Sequence, residues 1–224
     1  IDFGTKSTVV VYQEDTTKIN PMRIGTGDLS KAVSKNHYEN PTVIEFNDIE
    51  SFISKYHQKK GRPKTRWSDI TISHTAVNSM LASKSEDYSS YFSELKQWAG
   101  NKNKKLKILD KNGLVVDIPS FLEINDELNP IEIYAYYLGL YINNQHNGIF
   151  LNYILSFPVT YEVEIRDKII ESFRKGIEKS LPIGLHKPEI LEKLSIIKGA
   201  SEPAAYAVVA LQKYGFTPSD DEKI

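Results

Sequence analysis

Hydrophobic and polar positions change their period several times along the chain. Residues 1 to 12 read apolar, turn, apolar: Ile1-Asp2-Phe3, then Gly4-Thr5-Lys6-Ser7, then the β-branched run Thr8-Val9-Val10-Val11-Tyr12. That pattern predicts two antiparallel strands joined by a tight polar turn. A further strand is expected at Met22-Arg23-Ile24, ended by Gly25-Thr26-Gly27. Asn40-Pro41-Thr42-Val43-Ile44-Glu45-Phe46 reads as a turn into a strand, with proline fixing the entry and Val43 and Ile44 favouring extended backbone. Ile49, Phe52, Ile53 and Tyr56, spaced three and four apart, predict a short amphipathic helix. Tyr88, Tyr91, Phe92, Leu95 and Trp98 predict a second helical stripe, packed in the core and ended by Gly100. Leu106–Leu109 and Leu114–Ile118 flank Asn112-Gly113, the pattern of a hairpin with a type I′ turn.

The second half alternates more regularly. Asn129-Pro130 is a helix cap with proline at the first helical position, and the helix runs to about Asn147. A buried strand is expected over Ile149–Phe157, followed through Pro158-Val159-Thr160 by a long helix. Ile165, Ile169, Phe173 and Ile177 share one face of that helix. Leu194-Ser195-Ile196-Ile197 predicts another strand, and Gly199-Ala200-Ser201-Glu202-Pro203 opens a last helix through Leu211. Strands alternating with helices imply an α/β fold, a mixed sheet with helices packed on it.

Composition narrows the function by exclusion. The 224 residues are 40% hydrophobic and 25% charged, as in an ordinary soluble domain. A formal charge of −1 gives no sign of a nucleic-acid or membrane partner. No apolar run reaches the about eighteen residues of a transmembrane helix, and a cytoplasmic location is expected. Cysteine is absent, which excludes disulfides, thiolate catalysis and cysteine-ligated zinc. The five histidines show no metal-ligand spacing. Lys59-Lys60-Gly61-Arg62-Pro63-Lys64 is a loop by its Gly and Pro, open to an anion contact but more simply read as solvated. The chain begins inside a strand pattern and stops after a polar run, as a piece of something longer would.

The opening turn holds a carboxylate, a glycine and several hydroxyls within seven residues. Those are parts that hold a metal ion and a phosphate near backbone N–H groups, although an ordinary hairpin needs the same residues. Asp2-Phe3-Gly4-Thr5-Lys6-Ser7 resembles the first phosphate motif of the actin-like ATPase superfamily, which includes actins, sugar kinases and DnaK-type heat-shock chaperones. Ser201-Glu202-Pro203-Ala204-Ala205-Tyr206-Ala207 is similar to the "N-E-P-T-A-A-A-x-A" helix start of the chaperones. Leu155-Ser156-Phe157-Pro158-Val159-Thr160-Tyr161 resembles their "T-V-P-A-Y-F" strand exit, with Arg166 in the helix that follows. Asn40-Pro41-Thr42-Val43-Ile44, Lys96-Gln97-Trp98-Ala99-Gly100 and Asn129-Pro130-Ile131-Glu132-Ile133 more weakly resemble "T-P-S-x-V", "K-R-L-I-G" and "S-P-E-E-I", in the same order.

The resemblance implies one lobe of a two-lobed clamp, with its nucleotide cleft on an exposed edge and the second phosphate motif beyond Ile224. Residues 1–39 and 126–224 would form a ribonuclease H-like core, with a small α+β subdomain inserted over residues 40–125. The implied activity is a nucleotide-driven chaperone switch that hydrolyses ATP with Mg²⁺ in the full-length protein. Client polypeptides and co-chaperones would bind through other parts. Asp2 and Glu202 would hold the Mg²⁺ shell and act in catalysis. Gly4, Thr5, Lys6 and Ser7 would cradle phosphate, and Lys96 would reach the γ-phosphate. Pro158 and Arg166 would belong to an interdomain surface. Lys6 replaces the family's second hydroxyl, and Ser201 and Ala204 replace its Asn and Thr, which leaves a pseudo-ATPase open. A small-molecule kinase and a nucleotide-binding filament protein are the other readings.

Overall fold

The computed structural model describes residues 1–14, 18–25, 34–125, 127–145, 148–156 and 161–199. The chain opens with β1 (Asp2–Phe3), β2 (Ser7–Tyr12) and β3 (Asn20–Met22). These strands form an antiparallel meander, with Asp2 opposite Val9 and Val10 opposite Met22. The β3 backbone thus ends two residues earlier than the sequence pattern suggests. The reason lies in Asn40, whose side chain stands in for a strand. Its Oδ1 accepts from the Ile24 N–H at 2.7 Å, while its Nδ2 donates to the Thr8 and Met22 carbonyls at 3.0 Å each.

Residues 40–46 do not form one strand. β4 (Asn40–Pro41) pairs with β2, and β5 (Ile44–Phe46) belongs to a different sheet. α1 (Ile49–Tyr56) follows, with Asp48 capping its N-terminus through the Ser51 N–H and with Ile49, Phe52 and Tyr56 buried. β6 (Ile70–Ile72) leads into α2 (Ser73–Ala82), neither of which the sequence pattern signals. The expected stripe from Tyr88 to Trp98 is broken into three pieces. A 3₁₀ turn covers Ser85–Ser90, β7 spans Tyr91–Phe92, and α3 spans Leu95–Ala99. β5 is the cause: it pairs antiparallel with both β6 and β7, and the open side of β5 takes Tyr91 and Phe92 as partners. Tertiary pairing overrides the helical spacing there.

β8 (Leu106–Leu109) and β9 (Val115–Ile118) form the expected hairpin, but its turn is not type I′. Gly113 has φ +90°, whereas Asn112 is not in the left-handed region, so the two-residue turn cannot form. Asp110 shapes the longer loop by accepting from the N–H groups of Asn112, Leu114 and Ile49, each at 2.9 Å.

The last third builds the body of the molecule. α4 (Pro130–Asn144) starts at Asn129, whose side chain accepts from the Ile131 and Glu132 N–H groups. α5 (Val163–Ser180) buries Ile165, Ile169, Phe173 and Ile177 as the spacing predicts. β10 (Asn152–Leu155), shorter than expected, lies between these helices in sequence. α6 (Pro188–Leu191) and β11 (Ser195–Lys198) follow α5. β10 and β11 are parallel, and Ser156 bridges Asp2, also in parallel. Phe3 N–H donates to Ser156 O at 3.1 Å and Ser156 N–H to Ile1 O at 2.9 Å. The strands therefore run in the order β3–β2–β1–β10–β11, a mixed α/β arrangement with β1, β10 and β11 parallel. Phe3 fixes this sheet to both helices, with its ring 5.2 Å from Phe173 and 6.1 Å from Tyr134. No helix among the described residues is long and apolar enough to cross a membrane.

Candidate functional site

Gly4 turns the chain from β1 into β2 where no side chain fits. A Cβ built on it would lie 2.2 Å from the Ser7 carbonyl oxygen, far inside contact distance. Thr42, just past β4, clamps this turn at both ends. Its hydroxyl donates to Gly4 O at 3.0 Å and its N–H donates to Lys6 O at 3.0 Å. Both clamping groups lie where the chain leaves the first sheet for the second.

Behind Thr42 lies a line of buried hydroxyls. Thr8 and Thr42 hydroxyls are 2.8 Å apart, and the Tyr134 hydroxyl donates to Thr8 at 3.0 Å. Because Thr42 spends its proton on Gly4, it accepts from Thr8, and Thr8 in turn accepts from Tyr134. Each hydroxyl then donates once, in one direction, from α4 to the turn. Burial pushes the Tyr134 phenol up to about 12, although its threonine partners pull the other way. It is therefore a neutral donor across the physiological range.

The front of the turn differs. Asp2, Thr5 and Lys6 are exposed, and Gly4 and Ser7 are half-buried. The parallel strands β1, β10 and β11 all end at this edge, at Phe3, Leu155 and Lys198. In open α/β sheets, ligands bind outside the C-terminal ends of the strands, where the strand order reverses direction. β1 and β10 meet at such a point. One carboxylate beside a turn could hold Mg²⁺ only together with an anionic ligand. That ion takes one or two carboxylates together with phosphate oxygens and water, and needs no protein cage. Asp2 supplies a carboxylate, and the turn supplies backbone beside it. Among the described residues no three His, Asp or Glu side chains converge as a cage.

The remaining expected residues divide. Glu202 and Pro158 lie outside the described residues. Lys96 lies in α3 and is only 4% exposed, unlike an ordinary solvated lysine. Its carbonyl accepts from the Tyr161 hydroxyl at 2.7 Å, which ties α3 to the entry of α5. Arg166 is half-buried on α5, and its Nε has no hydrogen-bond partner among the described residues. Sequence reading missed Thr8, Asn40, Thr42 and Tyr134 as the supports of the turn. The available signal was polar residues occupying core-facing strand and helix positions.

A second polar cluster lies in the β5 sheet. The Glu45 carboxylate is buried and accepts from Lys111, Thr71, the Ser79 hydroxyl at 2.5 Å and the Tyr91 hydroxyl at 2.9 Å. Burial alone would raise its pKa, but hydrogen bonds from Lys111, Ser79, Thr71 and Tyr91 outweigh it and hold the group below the usual range. No protein-family model matches the chain, and no curated protein matches it.

Proposed function

We propose that the chain is the nucleotide-binding lobe of a DnaK-type, actin-like ATPase and works as a conformational switch. One observation carries this reading: a turn whose Asp2, Thr5 and Lys6 are exposed lies at the C-terminal edge of three parallel strands and is fixed from behind. Such an edge is where α/β sheets bind ligands, and a clamped turn presents its backbone to phosphate without a cost of ordering at the moment of binding. β11 ends at the same edge, at Lys198, and Glu202 follows soon after it in the sequence.

In this reading Asp2 orients the water shell of Mg²⁺, and the backbone from Gly4 to Ser7 receives phosphate oxygens. Lys6 adds positive charge beside them. Mg²⁺ supplies charge neutralisation when bound. Lys96 acts from α3, and Glu202 positions water or metal. Residues beyond Ile224 would supply the opposite wall. Closure of the two lobes would alter affinity for a polypeptide partner elsewhere.

Calorimetric titration of the full-length protein with Mg·ATP tests this. Binding at micromolar level, weakened at least tenfold by Asp2→Asn and accompanied by turnover without a small-molecule acceptor, is the expected result. An absence of Mg·ATP binding by the full-length protein overturns the reading. Strict dependence of turnover on a sugar or acid acceptor replaces the switch with a kinase.

A further inference from the structure

The basic loop after α1 is built differently from a solvated surface loop. Lys59, Lys60, Arg62, Lys64 and Arg66 fall within residues 59–66 without one acidic residue, a concentration that the net charge of −1 conceals. The loop is tied to α4 and α5 at several points. Arg62 N–H donates to Lys179 O at 2.7 Å, and its Nε donates to Ser180 O at 3.2 Å. The Tyr137 hydroxyl donates to Arg66 O at 3.2 Å, and the Thr65 and Tyr136 hydroxyls are 2.8 Å apart. Gly61 packs so closely that a Cβ would meet the His186 ring at 2.4 Å. Arg62 itself has φ +37°, a left-handed conformation that a non-glycine residue holds only under constraint. Cations on a fixed backbone lose less freedom when they bind.

The fixed loop walls a cavity of about 250 Å³ with α4, lined by Arg62, Pro63, Trp67, Tyr136, Tyr137 and Asn144 among others. No acid lines it. Trp67 is 48% exposed, with its ring 5.6 Å from Tyr137 and 4.9 Å from Tyr141. It presents an open indole against a rigid aromatic backing. We propose that this cleft binds single-stranded nucleic acid, a base stacking at Trp67 and phosphates lying along Arg62, Lys64 and Arg66. Base–aromatic stacking beside a cationic track is how such strands bind without sequence preference. A neighbouring cavity at His57, Lys60, Lys175 and Lys179 also carries Glu132 and Glu178, so the phosphate path keeps to the Lys64 and Arg66 side. An acidic peptide would use the cations and leave the indole idle. A lipid surface would need more apolar contact than Trp67, the one large exposed apolar side chain among described residues 57–69. The spread of five cations exceeds what a single nucleotide phosphate can engage.

The test is independent of ATP and Mg²⁺, which are left out of the buffer. Trp98 is fully buried, so a change in tryptophan emission reports Trp67. Titration with a twelve-residue oligothymidylate should quench emission, and affinity should fall with a log–log salt slope of about −2 for three phosphate contacts. Lys64→Glu with Arg66→Glu should weaken binding at least tenfold at unchanged thermal stability. Trp67→Ala, followed by anisotropy of a labelled oligonucleotide, should weaken it about tenfold. Polyglutamate or phosphatidylserine vesicles binding as tightly as the oligonucleotide would overturn the proposal. So would oligonucleotide binding that neither quenches emission nor responds to Trp67→Ala, or thymidine monophosphate binding as tightly as the strand.

Discussion

The turn at Gly4 and the carboxylate of Glu45 are both organised by buried polar groups, yet by opposite means. Behind Gly4 stand three neutral hydroxyls in single file, each giving one proton toward the turn. Around Glu45, four donors converge on one charge, including the Lys111 ammonium. A file of hydroxyls has a direction and fixes a backbone carbonyl in place. A convergent cluster has no outlet and holds together the elements that contribute to it, here β5, β6, α2, β7 and the β8–β9 loop. The neutral file costs little to bury, since every member is satisfied. The charged cluster is more exposed to loss, because removing one partner strands a charge. Positioning and cohesion are thus assigned to different chemistry in two neighbouring sheets.

The largest effect should come from the turn itself. Gly4→Ala forces a Cβ onto a backbone oxygen and should cost about 3 kcal/mol or more, read by urea denaturation. Stability within about 1 kcal/mol of the parent would show that the turn relaxes freely and is not held from behind.

Glu45→Gln should follow, at about 2–3 kcal/mol, below the full value for a buried pair because Lys111 is partly exposed. Its pH dependence separates the two clusters. The folded pKa of Glu45 lies below its unfolded value, so its contribution is present above the unfolded pKa. That contribution disappears as pH falls through the folded pKa. The parent should therefore lose stability on acidification below about pH 4.5 more steeply than the Gln variant. Parallel acid limbs would mean that the carboxylate is not specially stabilised.

Breaking the hydroxyl file should be milder and more local. Thr42→Val should cost about 1–2 kcal/mol and speed amide exchange at Lys6 and Ser7, while Thr42→Ser restores both. Tyr134→Phe, at the far end, should cost about 1 kcal/mol and leave an acceptor on Thr8 unfilled. Unchanged exchange at the turn in Thr42→Val would reduce the file to a local core contact. Smallest of all should be Glu94→Gln, which removes the partner of Lys104 at the surface and should alter stability by less than about 0.5 kcal/mol.

Local structure was legible where one face of an element is apolar and its ends are marked. α1 and α5 lie where the spacing of Phe52 and Tyr56, or of Ile165 to Ile177, places them. Asn129-Pro130 starts α4 as such a pair should. Legibility failed where a short segment takes its conformation from a distant partner. Tyr91 and Phe92 have helical spacing to Trp98 but extend along β5. Asn112-Gly113 carries a hairpin signature, yet Asp110 draws the loop N–H groups into a wider turn. Of the candidate site, the Asp2–Ser7 turn was visible, while its supports Asn40, Thr42 and Tyr134 lie from about 30 to 130 residues away in sequence. No local pattern links them.

What the sequence by itself determined is α1, α4 and α5, the opening hairpin and the glycine its turn requires, because periodicity, caps and steric exclusion act over a few residues. Only the tertiary structure decided that β10 and β11 run parallel to β1. It alone decided that Thr42 reaches back to Gly4, and that a basic loop is fixed beside an open tryptophan. Those outcomes depend on backbone groups that every residue shares and on hydroxyls that carry no periodic signal. Their hydrogen bonds are chosen by which segments the apolar core brings together, not by neighbours along the chain.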